Sequence, residues 1–286
     1  MNKMSNIVQI ISDNLLDIVR QDFNNHNSLF LFIKNGLISK LAQKIVINPE
    51  KPIIIGVCGE SASGKTTLAQ RALNACLSDE TRDLYTLITL DDYYYDTSEQ
   101  LKQAGSYEAL FETGFSFDAP DAFNLDLVRE HINRLSYGQK IYSPAYDFVT
   151  CASVPNIKPK SPARVILIEG LFGLNEKLKD ILDVAIYVHT PYNVIKDRWY
   201  KRAASRGKTG HAADMQFDNV NKQAEKYIRP AQNNADIVVS GLISSEYIEF
   251  MAEQVIGSIK KSVNYIRQTE KCTKSPSQEQ YVAQLQ

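Results

Sequence analysis

The sequence lacks the cysteine spacing and the long apolar runs that mark secreted or membrane-spanning chains. Its four cysteines (Cys58, Cys76, Cys151 and Cys272) are dispersed and form no C-x-x-C pair, which excludes the usual zinc-site and disulfide patterns and favours a reducing cytoplasm. No apolar run reaches the roughly 18 residues that a spanning helix needs. Because Met1 starts no signal-peptide pattern, we expect neither a leader nor a membrane partner.

An excess of charge of either sign is also missing. The formal net charge is −1 over 286 residues, so no basic surface predicts a nucleic-acid partner and no acidic block predicts a tail. We find no internal repeat. With 44% apolar residues, the chain has the composition of an ordinary globular protein and the length for one large α/β domain with appendages.

What is present begins with a phosphate-binding signature. Gly59, Gly64, Lys65 and Thr66 fill the pattern G-x-x-x-x-G-K-[ST], between an apolar β-branched run and a segment of helix-forming composition. Such a loop directs backbone N–H groups and a helix N-terminus at phosphate oxygens. The residues expected to hold a nucleoside triphosphate are Gly59, Glu60, Ser61, Ala62, Ser63, Gly64, Lys65, Thr66 and Thr67.

Strand and helix patterns alternate along the rest of the chain. Strands are predicted over 53–58, 84–90, 164–168, 184–188 and 236–239, and helices over 65–77, 125–135, 193–205, 215–233 and 245–266. This alternation predicts an α/β fold of the P-loop NTPase type, a parallel sheet with helices on both faces. A segment rich in aromatics, proline and glycine, at about 100–162, interrupts it and predicts an inserted substrate lobe within a kinase-like domain at 51–268.

Both ends of the chain extend beyond this predicted domain. Residues 1–50 predict a helical extension, with Ile7, Ile11 and Leu15 at helical spacing and a second amphipathic helix over 30–46. Helices packed on the core are favoured, with a dimer surface as the alternative. Residues 269–286 are polar and are predicted to form a disordered tail.

Acidic residues follow two of the predicted strands. Asp91 and Asp92 come after one strand end, where a carboxylate can act as base or orienter for an attacking hydroxyl, although either could be only a helix cap. Glu169 ends another strand, where an acid can hold Mg²⁺ opposite Thr66. Aromatic residues and carboxylates at 117–123 and 143–148 suit a flat ligand that bears hydroxyl groups.

The order of these motifs resembles the uridine kinase (uridine/cytidine kinase) family, within the phosphoribulokinase/uridine kinase group. Members combine a P-loop with Asp-x-[Phe/Tyr]-Tyr, matched by 91–94, and Phe-Asp-His-Pro-Asp-Ala-Phe, matched by 117–123 with Ala119 for His. Pro-x-Tyr-Asp-Phe follows at 144–148, then Glu-Gly at 169–170 and an Arg-rich helix closed by Arg-Gly. The resemblance covers about residues 52–240.

The resemblance implies a role for each matched position. It makes Asp91 the catalytic base and a Mg²⁺ residue with Thr66 and Glu169, and Asp118 the acid that binds the ribose hydroxyls. Tyr94, Tyr146 and Phe148 would line the nucleoside pocket. It implies ATP (or GTP) and Mg²⁺ as cofactors, a nucleoside as the small-molecule substrate, and a homotetramer.

Arginines that recur every four residues, Arg198, Arg202 and Arg206, lie on one face of the predicted helix. A solvated basic surface is the ordinary role of such residues. The resemblance instead implies a lid at about 192–212, in which Arg202 and Arg206 act with Lys65 in catalysis and Arg198 binds substrate. Lys208 stands where the family has a further Arg.

One departure concerns recognition of the base. Cys151 occupies the position where the family has a base-reading His, and a thiol is a weak hydrogen-bonding group. We expect phosphorylation of a nucleoside 5′-hydroxyl, most simply uridine or cytidine. The alternatives are a kinase of the same group acting on another alcohol, such as a sugar phosphate, and a nucleotide-binding regulatory protein with weak turnover.

Overall fold

A six-stranded sheet forms the centre of the computed structural model, which describes residues 3–48, 50–75 and 85–273. The strand order is β1-β8-β7-β2-β6-β3, and a separate antiparallel hairpin is formed by β4 and β5. The strands are β1 (Phe30–Ile33), β2 (Ile53–Cys58), β3 (Tyr85–Thr89), β4 (Ile141–Asp147), β5 (Ala152–Lys160), β6 (Val165–Glu169), β7 (Val184–His189) and β8 (Ile237–Ser240).

Five strands of the sheet run parallel, as the alternating pattern predicted. The parallel pairs are β2 with β6 and β7, β3 with β6, and β7 with β8. Side chains alternate between the two faces, so Ile166 and Ile168 enter one apolar cluster while Leu167 enters the other. Both clusters are buried, which explains the continuous apolar runs of these strands. The predicted α/β fold is confirmed.

Helices cover both faces of this sheet. They are α1 (Lys3–Phe23), α2 (Leu37–Ile47), α3 (Lys65–Asn74), α4 (Ser98–Ala104), α5 (Tyr107–Glu112), α6 (Leu125–Ser136), α7 (Glu176–Lys179), α8 (Tyr192–Ser205), α9 (Gly210–Gln223) and α10 (Ser245–Thr273). Apolar residues of α6 pack on one face, and those of α3 and α10 pack on the other. Across the described residues, no helix is both long and apolar enough to cross a membrane.

The segment at about 100–162 contributes helices and a hairpin outside the central sheet. It contains α5, α6 and the β4–β5 hairpin, whose register shifts between Ser143 and Ala145. Phe123 packs between Tyr94 and Phe172, and the lobe is thereby fixed to the end of the sheet. A substrate lobe at this place stays a prediction, and the geometry of its aromatic residues is given with the site.

The predicted helix over residues 30–46 is wrong in its first part. Phe30–Ile33 is a strand that pairs antiparallel with β8, and the helix α2 begins only at Leu37. By composition, the four-residue run Phe-Leu-Phe-Ile fits a helix or a strand equally well. It forms a strand because it pairs with the edge of β8. Apolar residues of α1, α2 and α10 form one cluster, so the N-terminal helices pack on the domain.

Two further boundaries differ from prediction. The segment predicted as one helix over 215–233 is the end of α9 followed by a π-helical turn, Ala224–Ile228, and a 3₁₀ segment, Arg229–Asn234, because Pro230 cannot continue an α-helix. Residues 269–273 belong to α10 and are not a disordered tail. Positions 274–286 and the predicted end of a helix at 77 lie outside the described residues.

A buried carboxylate joins the N-terminal segment to the domain. Asp22 is 1% exposed and accepts hydrogen bonds from the N–H groups of Leu29 and Phe30 and from the hydroxyls of Ser28 and Tyr247. Four donors compensate the burial of its charge. Because Tyr247 lies on α10, one side chain fixes α1, β1 and α10 to each other.

We predict that Asp22→Ala lowers the free energy of unfolding by about 2–4 kcal/mol, because it leaves several buried donors unpaired. The measurement is urea unfolding followed by circular dichroism. Asp17→Ala is the matched control, since Asp17 lies on the same helix with a side chain 64% exposed. Equal stability of the two variants would contradict the structural role of Asp22.

Candidate active site

The loop between β2 and α3 has the shape of a phosphate cradle. Gly64 has φ +99°, a conformation that favours glycine, and a Cβ on Gly59 would lie 2.6 Å from Ser63 Oγ. Ala62 also adopts positive φ, at 67°. The carbonyl of Ser63 accepts a hydrogen bond from the buried Thr190 hydroxyl at 2.8 Å, so β7 holds this loop from behind.

An acid and a hydroxyl meet where the loop passes the end of β6. The Thr66 hydroxyl donates to Glu169 Oε2 at 3.1 Å. Glu169 is 2% exposed, and burial raises its pKa while the nearby Lys65 opposes that shift. Oxygen ligands of this kind suit Mg²⁺, with direct or water-mediated contact at Thr66 and Glu169.

Two consecutive aspartates after β3 differ in their surroundings. Asp92 forms an ion pair with Lys158 of the hairpin at 2.6 Å, with its side chain 13% exposed. Asp91 is exposed and lines a cavity that also contains Lys65 and Thr66. Asp92 therefore has a structural partner, and Asp91 is the carboxylate that faces the phosphate loop.

A cavity of about 540 Å³ extends from the loop to the aromatic residues of the insert. A volume of this size suits a small metabolite. Its walls bring together most of the residues predicted for catalysis and substrate binding. Those of the predicted residues that line it are Ser61, Lys65, Thr66, Asp91, Tyr94, Asp118, Phe148, Arg202 and Arg206.

Asp118 lies in the connection between α5 and α6 and lines this cavity. Burial raises its pKa to about 6, the charges of Lys65 and Arg202 oppose the shift, and Asp91 adds to it. A carboxylate so placed is costly to ionise without a ligand. It is also a strong acceptor for a pair of hydroxyl groups.

Aromatic rings form the wall beside Asp118. Tyr94 is 6% exposed and packs on Phe123 at 4.0 Å, on Tyr146 at 4.9 Å and on Phe148 at 5.6 Å between ring centroids. Burial raises the pKa of its hydroxyl well above the ordinary value. Such a wall offers a flat apolar surface to a planar ligand.

Helices α8 and α9 close the other side of the site. Trp199, Ala203, Phe217 and Val220 form a separate apolar cluster, against which Ala62 of the phosphate loop packs. Arg202 donates to the Ser61 hydroxyl, and burial lowers its pKa, as does the charge of Arg206. These helices therefore contact the loop directly.

Arg198 lies elsewhere than predicted. Its guanidinium donates to the Gly241 carbonyl at 2.9 Å and lines a second cavity, of about 530 Å³, with Gly64, Thr67 and Arg202. Arg198 is not among the described residues that line the 540 Å³ cavity. The side chain lies one helical turn before Arg202 and lines the second cavity, so the structure does not bring it together with the other predicted substrate residues, and its role stays a prediction.

Two other predicted substrate residues stand behind the cavity wall. Cys151 is 1% exposed at φ 56°, with its thiol 3.4 Å from the Tyr107 hydroxyl, and Tyr107 lines the cavity instead. Tyr146 supports Tyr94 and Phe148 and lies 3.3 Å from the Thr97 hydroxyl. Within the described part of the chain neither lines the cavity, and direct contact with an acceptor is corrected to support of the wall.

Several lining residues were not predicted. Lys208 Nζ lies 4.9 Å from the centre of the Tyr107 ring and donates to Gln216 Oε1 at 3.1 Å. Burial lowers the pKa of Lys208. The aromatic-rich insert predicts such a wall in general, and of its members the sequence motifs single out only Phe117, in 117–123, and Lys208, at the position of a further family Arg. The lining residues to which no site role was assigned are Tyr107, Phe111, Phe117, Val149, Leu171, Trp199, Ala203, Lys208, Gln216 and Val220.

The donor set fits a magnesium-bound triphosphate. The loop has the glycine geometry of a phosphate cradle, Lys65 and Arg202 line both cavities, and Thr66 and Glu169 offer oxygen ligands. A phosphate loop that lies between two cavities, beside one exposed carboxylate, is the arrangement of a P-loop kinase of small molecules.

Comparison with known sequences then places the chain within this class. Residues 54–246 match the pattern described as "Phosphoribulokinase / Uridine kinase family", so the chain belongs to that family and is a kinase. The protein "Uridine kinase" of Clostridium tetani is 30% identical over 75% of this chain and 97% of its own length. "Uridine kinase" of Halobacterium salinarum is 32% identical over 70% and 85%.

A plant relative is much longer. "Uridine kinase-like protein 5" of Arabidopsis thaliana is 31% identical over 66% of this chain, but the match spans only 39% of the plant protein. This chain therefore spans well under half the length of that relative.

We predict that Asp118→Asn raises the melting temperature at pH 8 and that the gain disappears near pH 4. With a folded pKa of about 6 against 3.8, the folded protein retains a proton that the unfolded chain has lost, so stability falls as pH rises through this window. Scanning calorimetry at both pH values measures it. Asp121→Asn, at an exposed position nearby, is the control. A gain independent of pH would contradict the assignment.

Proposed function

We propose that this chain transfers the γ-phosphoryl group of ATP to the 5′-hydroxyl of a pyrimidine nucleoside, uridine or cytidine. The observation that carries the proposal is the single cavity that joins Lys65 and Thr66, through Asp91, to Asp118 and an aromatic wall. The order of these groups along the cavity suits a ribose between a phosphate loop and a base. Several relatives named uridine kinase, which match most of the chain, support it.

Asp91 is the proposed base. Its carboxylate accepts the proton of the 5′-hydroxyl as the new bond forms from that oxygen to the γ-phosphorus, and the bond from phosphorus to the β,γ-bridging oxygen breaks. Lys65 and Arg202 offset the negative charge on the transferring group. Thr66 and Glu169, with Asp91, would hold Mg²⁺, which would supply further charge neutralisation on the phosphates.

Asp118 and the aromatic wall are the proposed acceptor site. The Asp118 carboxylate accepts hydrogen bonds from the 2′- and 3′-hydroxyls, while Tyr94, Phe117 and Phe148 offer apolar contact to the sugar and the base. Because Asp118 binds the ribose hydroxyls and the aromatic wall contacts the base, the nucleoside is oriented with its 5′-oxygen toward Asp91. Such positioning accounts for a large share of catalysis in phosphoryl transfer.

The second cavity is the proposed site of the donor base. Leu68, Val188, Ile243 and Ile248 give it an apolar surface, and its described lining contains no carboxylate. Guanine presents N–H donors that an acid would satisfy, so an acid-free pocket favours adenine. ATP is therefore preferred over GTP as the donor.

A kinase for a different alcohol is the second candidate. Arg206 and Lys208 place two cations in the acceptor cavity, and neither is needed by an uncharged nucleoside. Cys151 and Ala119 depart from the base-reading pattern of the family. These features favour an acceptor that carries an anionic group.

The two candidates separate in an acceptor screen. We expect ADP release with ATP and uridine or cytidine, and much less with sugar phosphates at equal concentration. Coupled-enzyme assay of ADP, with mass spectrometry of the product, measures it. Turnover confined to anionic alcohols would replace the nucleoside with the second candidate.

Asp91→Asn should lower kcat by about 10²- to 10⁴-fold while ATP still binds, because it removes the proton acceptor but leaves Lys65, Thr66 and Glu169 in place. Asp92→Asn is the matched control, since Asp92 pairs with Lys158, and its kcat should change only a few-fold. Steady-state kinetics and ATP titration by calorimetry measure both. Similar kcat values for the two variants would remove Asp91 from the mechanism.

A further inference from the structure

The phosphate loop carries a carboxylate at its second position. Glu60 follows Gly59, and among the described residues it lines neither cavity, although its neighbour Ser61 lines the larger one. Its side chain is 13% exposed. A negative charge in a loop that receives phosphates opposes their binding unless another group compensates it.

Arg229 is that compensating group. Its guanidinium donates to Glu60 Oε2 at 3.0 Å and to Asn221 Oδ1 at 2.6 Å. The hydrogen bond with Glu60 raises the pKa of Arg229, and the negative charges of Glu60 and Glu225 raise it further. The Tyr192 ring lies 5.8 Å from the guanidinium, so the pair is partly shielded from water.

The same side chain connects the loop to α9, which closes the site opposite the aromatic wall. Asn221 lies on α9 beside Val220, a residue of the larger cavity. A π-helical turn, Ala224–Ile228, separates Asn221 from Arg229, and such turns are frequent at functional sites. Arg229 thus joins Glu60, next to Ser61 of the phosphate loop, to Asn221, next to Val220, and both Ser61 and Val220 line the larger cavity.

We propose that Arg229 is a positioning residue for the donor triphosphate: it neutralises the Glu60 carboxylate and fixes the phosphate loop to α9. The inference rests on the proposed function in taking ATP as the donor. Arg229 acts through Glu60 and touches no reacting atom. Loss of the cation leaves Glu60 partly buried and uncompensated beside the phosphates.

Pairwise replacement tests the charge argument. Arg229→Gln should weaken ATP binding about tenfold, and the double variant Glu60→Gln/Arg229→Gln should bind within about threefold of the unaltered chain, because no uncompensated charge remains. Calorimetric titration of the full chain with MgATP measures binding, and thermal unfolding without nucleotide verifies the fold. A purely structural role would give no recovery in the double variant.

Glu60→Gln alone gives an independent result if Arg229→Gln does not fold. It leaves the Arg229 charge available to the phosphates, so ATP binding should tighten by about two- to threefold at low salt, with the gain lost at high salt. Weaker binding by Glu60→Gln, wild-type binding by Arg229→Gln, or no recovery in the double variant overturns the inference. Failure of the unaltered chain to bind ATP overturns the proposed function itself.

Discussion

The arrangement of the site depends on the attraction between the positive charge of Lys65 and the carboxylates around it. Glu169 and Asp118 come from separate parts of the chain, and both have pKa values that burial raises and Lys65 lowers. The negative charge of Asp91 raises both pKa values, which is opposite to the effect of Lys65. Asp91 and Glu169 lie close to each other because the parallel strands β3 and β6 end at the same edge of the sheet, whereas Asp118 comes from the insert. One lysine of the phosphate loop reduces the repulsion among these three carboxylates.

The same constraint explains why the two helices after β7 contact the loop so closely. Arg202 brings a second cation to the carboxylates, at the cost of its own burial, and Trp199 and Phe217 form the apolar cluster that supports it. Ala62, in the loop, packs against that cluster. The phosphate loop and the helices α8 and α9 therefore form one packed unit beside the larger cavity.

Local pattern was sufficient for the five parallel strands and for the phosphate loop, because both are encoded in short contiguous runs. Phe30–Ile33 was misassigned since four apolar residues carry no period, and only the open edge of β8 makes them a strand. Tyr107 and Gln216 were missed because helix faces are set by tertiary packing. The buried position of Cys151 depends on a positive φ that no motif signals. The match to the family's order of motifs added residue roles that composition could not supply.

The N-terminal strand has a consequence for how the domain is delimited. Val238 and Val239 pair with β1 on one side and with β7 on the other, so β8 is an inner strand of the sheet. A chain that began at residue 51 would leave β8 as an edge with unsatisfied N–H and C=O groups, next to the uncovered apolar side of α10. The kinase motifs would be complete in that chain, yet it would be prone to self-association. The N-terminal strand and helices therefore belong to the packed unit, although none of the family motifs lies in them.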